Sequence, residues 1–93
     1  SINTDSRYVL SSIEIIKKIF EDYEPNMDYN IYYNEGSFTI SKKVICYHNL
    51  EIWKKMLNIY INLFKGKKIN RKKEVILLDL FLKELTRRYI KKI

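Results

Sequence analysis

Pro25, Gly36 and Gly66 are the only proline and glycines in this 93-residue chain. These residue types are the strongest local breakers of regular structure, so long loops have little to be built from. Pro25 disfavours helical geometry in the residue before it and stops a helix by Tyr23 or Glu24. Gly36 and Gly66 supply the positive φ that tight turns and helix C-termini require.

The segments between these breaks carry different periods. Ser11-Ser12-Ile13-Glu14 reads as a capping box, with Leu10 and Ile15 as its hydrophobic staple. It predicts a first helix from near Ser12; a start near Asp5 is the alternative, because Val9 extends the stripe Ile13, Ile16, Phe20, Tyr23. Next, Tyr29, Ile31 and Tyr33 alternate with Asn30, Tyr32 and Asn34, and Phe38 and Ile40 alternate with Ser37, Thr39 and Ser41. The turn Asn34-Glu35-Gly36-Ser37 lies between them. A two- or four-residue loop pairs Tyr33 with Phe38 and Ile31 with Ile40 and keeps the apolar residues on one face. Val44-Ile45-Cys46-Tyr47 has strand composition and either extends the second strand or forms a third.

Asn49 is a good N-cap for a helix whose face collects Leu50, Trp53, Leu57, Tyr60, Ile61 and Phe64. Gly66 ends it, and Asn70 caps a last helix with the stripe Val75, Leu78, Leu82, Leu85, Tyr89, Ile93. The short link predicts an antiparallel helical pair. Ile76, Leu77, Leu80 and Phe81 fall off that stripe, so the last helix is apolar nearly all round. Either it sits centrally or it forms a dimer or partner interface. The expected architecture is one α+β domain over 1–93: an N-terminal helix, a β-hairpin with up to three short strands, then a C-terminal antiparallel helical hairpin. The order resembles that of double-stranded-RNA-binding domains, which run helix, three strands, helix; the extra final helix departs from that pattern, and no residue role is carried over.

Composition bounds the rest. At 46% hydrophobic and 31% charged residues, the chain is expected to fold. A single cysteine, Cys46, excludes an internal disulfide and fits a reducing compartment, so an intracellular protein, cytoplasmic or nuclear and not secreted, is expected. No apolar run exceeds four residues, which excludes a membrane span. The chain begins at Ser1 without Met, as a processed protein or a fragment of a longer one would.

Chemistry has few candidates. Cys46 and His48 share a face if 44–47 is a strand, yet nothing orients the histidine as a base, so a buried thiol and a histidine at a helix start are expected. Two such ligands are too few for zinc. With glycine only at 36 and 66 there is no phosphate loop. Catalytic residues, metals and cofactors are therefore expected to be none.

Charge is uneven. Residues 1–41 hold three basic and seven acidic side chains, and residues 42–93 hold 15 basic and four acidic ones. Codon bias of an AT-rich genome supplies some of this lysine, since the chain has no alanine or glutamine. Lys65, Lys67, Lys68, Arg71, Lys72 and Lys73 nevertheless place six positive charges within nine residues. They stand at a helix N-terminus, where the peptide dipoles already disfavour cations. Free N–H groups beside them would make a phosphate seat. Lys83, Arg87 and Lys91, four apart, would line one side of the helix and extend the track, with Arg88 and Lys92 beside them. Tyr32, on a polar strand face, would be placed to stack on a base. The expected function is a non-catalytic module binding a polyanion, nucleic acid foremost. The alternative is a protein-interaction or homodimerising domain, such as a viral-type inhibitor, acting through the apolar last helix.

Overall fold

Val9, Ile13, Ile16, Phe20 and Tyr23 recur at spacings of three and four, and all five are buried. That spacing lays them along one helical face. The computed structural model describes residues 2–25, 40–68 and 70–92. In it, helix α1 runs Ile2–Ile19. The predicted capping box is therefore not a helix start. Ser12 lies mid-helix and is fully buried, so the stripe outweighs the local cap signal. The helix also ends before Tyr23: Phe20 N–H still reaches Ile16 O at 2.9 Å, and Tyr23 N–H bonds Phe20 O at 3.1 Å in a turn.

The α+β expectation is overturned, since the described residues form four helices and no strand. The predicted hairpin falls on 26–39, outside the described residues; of its members only Ile40 is described, and it is not in a strand. Val44–Tyr47, read as strand, belongs to the short helix α2, Lys42–Tyr47. Ser41 is its N-cap, its hydroxyl accepting Val44 N–H at 3.3 Å. Cap chemistry and the burial of Val44 outweigh the β-branched composition, which is a weak preference. The likeness to double-stranded-RNA-binding domains loses its strands with this correction.

Helix α3, Leu50–Phe64, starts where expected: Asn49 Oδ1 accepts Ile52 N–H at 3.3 Å. Helix α4 runs Arg71–Lys92 and is the centre of the fold. Ile76, Leu77, Leu80, Phe81 and Leu85 are each no more than 2% exposed, and together they span about half of its circumference. Partly buried Leu78, Leu82 and Tyr89 also pack on the core, whereas Ile90 is exposed.

The contacts give each partner a direction. Tyr8 meets Asn70, Phe20 meets Phe81 and Asp22 meets Arg88, so α1 and the turn after it run parallel to α4. His48 meets Leu85, Trp53 meets Phe81 and Tyr60 meets Glu74, so α3 runs antiparallel to it. On α3, buried Met56 and half-buried Ile52, Trp53, Ile59 and Leu63 pack on the core. The row read from sequence straddles the edge of that face. Leu50, Leu57 and Ile61 are exposed, and Trp53, Tyr60 and Phe64 are half-buried.

Candidate polyanion-binding bend

The bend between α3 and α4 is built by two local devices. Lys65 at φ −61°, ψ 121° and Gly66 at φ 66° have type II turn geometry, closed by Lys67 N–H to Phe64 O at 3.2 Å. Such a turn needs positive φ at its third position, which glycine provides without strain. Asn70 then caps α4: its Oδ1 accepts Lys73 N–H at 3.2 Å, and its carbonyl accepts Glu74 N–H at 3.0 Å. The same side chain donates from Nδ2 to Tyr8 Oη at 2.7 Å, tying the bend to α1.

Lys65, Lys67, Lys68 and Arg71 are exposed, and Lys72 and Lys73 are half-buried. None of Lys65, Lys67, Lys68, Arg71 and Lys73 is paired with a carboxylate of the described residues. Glu74, the nearest acid in sequence, instead accepts the Tyr60 hydroxyl at 2.5 Å. That hydrogen bond holds the phenol above its ordinary pKa.

The cations further along α4 are treated differently. Lys83 Nζ lies 3.0 Å from Asp79 Oδ2. Buried Glu84 takes a forked pair of bonds from Arg87, at 2.8 and 2.6 Å, and another from Arg88 Nε at 2.7 Å. Arg88 also reaches Asp22, whose carboxyl it holds below its ordinary range, and its guanidinium lies 4.3 Å from the Phe20 ring centroid. Of the predicted helix cations, Arg87 and Lys91 are exposed and Lys83 is half-buried. Their row, spaced by four, runs back through buried Asp79 and half-buried Val75 to Arg71, so covered surface separates them from the bend. Lys91 stands about 30 Å along the helix axis from Arg71. It borders an open cleft of about 450 Å³, lined also by Tyr47, His48, Ile52, Arg87 and Lys92. Tyr32 lies outside the described residues.

Cys46 and His48 do not share a strand face. Cys46 is exposed on α2 rather than buried, and His48 Nε2 lies 2.8 Å from the Leu85 carbonyl, to which it donates. Among the described residues no cluster of His, Cys, Asp and Glu could hold a metal, and no helix is long and apolar enough to cross a membrane. Asp79 and Glu84, the partners of the α4 cations within the helix, stand three and four residues from them in sequence, whereas Asp22 stands 66 from Arg88. The Tyr8–Asn70 tie had no local signal.

Comparison with protein-family models, with curated proteins and with solved structures gave no match for this chain.

Proposed function

We propose that this chain is a non-catalytic module that binds a polyanion, nucleic-acid phosphates foremost, through the 65–73 bend, with Lys91 at the far end of α4 as an outlying contact. The supporting observation is a contrast between the bend and the helix that follows it. Lys83, Arg87 and Arg88 each have an internal carboxylate, whereas five cations of the bend have none among the described residues. Holding like charges together at a helix N-terminus costs about 0.3–1 kcal/mol per exposed charge. A phosphate backbone would reverse that cost. The bend is mostly lysine, a point charge suited to phosphate rather than to forked base recognition. Binding is therefore weakly sequence-specific and steeply salt-dependent. The reading places the protein inside the cell, consistent with its single exposed cysteine.

The test is a gel shift with duplex and single-stranded oligonucleotides, comparing the chain with Lys67→Gln/Lys68→Gln/Arg71→Gln. All three positions are exposed, so the fold survives the change. Loss of the shift in the variant, with unchanged helicity by circular dichroism, supports the reading. An unchanged shift, or none in either protein, rejects it.

A further inference from the structure

The cleft at the C-terminal end of α4 joins an apolar wall to a surplus of positive charge. Its volume of about 450 Å³ lies within the ~300–1,000 Å³ of small-molecule sites. Phe20, Tyr47 and Ile52 supply the wall, each from a different segment of the chain. That wall is anchored on α4. Tyr47 meets Tyr89 edge-on at 5.5 Å between ring centroids, and His48 bonds the Leu85 carbonyl at 2.8 Å. Arg88 lies over the Phe20 ring.

Two cation rows border the cleft. Arg87 and Lys91 stand four apart, as do Arg88 and Lys92, so each pair lies along one side of the helix. The arginines are answered within the fold: Glu84 takes bonds from both, and Asp22 takes one from Arg88. Lys91 and Lys92 have no carboxylate partner among the described residues. The free carbonyls of the last turn amount to about half a negative charge, so roughly one and a half positive charges stay unanswered beside the apolar wall.

We infer that this cleft binds a small organic acid. The apolar body lies against Phe20, Tyr47 and Ile52, and the carboxylate sits among Lys91, Lys92 and the Nη1 of Arg87 that Glu84 does not take. The two parts of the lining select this class together. A bare phosphate ion would leave the wall wet, and a neutral apolar molecule would desolvate the cations without answering them. Arg88 is already held by Glu84, Asp22 and Phe20, so much of the site is formed before the ligand arrives. It lies about 30 Å along α4 from the bend, and the inference does not rest on the polyanion reading.

Titration of naphthoate into the isotope-labelled full chain, followed by amide chemical shifts, tests it. The expected result is a saturable shift at Tyr47, His48, Ile52 and Lys91, with a dissociation constant of about 1 mM or tighter for a ligand of this size. Naphthylmethanol and naphthylmethylammonium carry the same body without the acid and bind at least about tenfold more weakly. Lys91→Gln/Lys92→Gln weakens naphthoate binding to a similar degree with helicity unchanged, because both side chains are exposed. Shifts centred instead on residues 65–73 or on Leu57 and Ile61, an ammonium analogue that binds as well as the acid, a double variant that binds as the parent does, or no saturable shift would overturn the inference.

Discussion

The Asn70 side chain bonds the Tyr8 hydroxyl across 62 positions of sequence while its other polar atom caps α4. One residue therefore fixes both the start of the central helix and its height against α1. Replacing Asn70 by Ala should cost about 1 kcal/mol for the cap alone. Asn70→Ser should recover most of that loss but not the tie to Tyr8. Urea unfolding of both variants reads the difference, and an Ala variant as stable as the parent would refute the assignment.

Gly66 has open space where a Cβ would stand, so crowding adds nothing to the cost of a side chain there. Its φ of 66° alone makes Gly66→Ala unfavourable. The expected loss is about 1–2 kcal/mol, the cost of left-handed geometry for an L-residue. Gly66→Asn should cost less, because Asn tolerates that region. Equal stability of the Ala variant and the parent in thermal unfolding would exclude the type II turn.

Glu84 is 3% exposed and serves two guanidiniums. Glu84→Ala should destabilise the chain by about 3 kcal/mol, at the low end for a broken buried pair because both arginines can turn to water and Arg88 keeps Asp22. Freed of Glu84, Arg87 joins Lys91 as an unpaired cation, so non-specific anion binding should rise in the same variant. Chemical denaturation and a salt-titrated anion assay test the two effects separately.

What could be read in advance follows the range of the interactions. The caps at Asn49 and Asn70 and the turn at Gly66 depend on chemistry within a few residues, and they were legible. So was the charge of the bend, because its six cations fall within nine residues. The inward face of α3 was not, because Ile52, Met56, Ile59 and Leu63 are as apolar as Leu50, Leu57 and Ile61. Periodicity places two rows on the helix but does not say which one the core takes. Helix α2 was missed because Val44 and Ile45 favour strands in general, while the outcome rests on one serine cap and one buried valine. The Ser11 capping box misled for the converse reason, a good local signal inside a longer buried stripe.

Burial pushes the Asp79 carboxyl above its ordinary 3.8, and nearby Lys83 offsets this only in part. The folded chain therefore holds that proton more tightly than the unfolded chain does, and the group's effect on stability becomes less favourable as pH rises above 3.8. Asp79→Asn should be more stable than the parent at neutral pH, and the advantage should vanish once the pH falls below 3.8. Asp22, held low by its Arg88 hydrogen bond, acts in the other direction and in another window: its contribution is present above 3.8 and lost as pH falls below it. Urea midpoints of the Asn variant on either side of that pH separate the two. A variant less stable than the parent at neutral pH would contradict the sign.

The most direct test of the bend as a phosphate seat is the slope of log binding constant against log salt for a duplex oligonucleotide. The slope is about −0.9 for each phosphate neutralised. Lys67→Gln/Lys68→Gln should make it shallower by about two and weaken binding to all sequences alike. A parent slope near zero, or a slope unchanged by removing those two charges, would contradict the account.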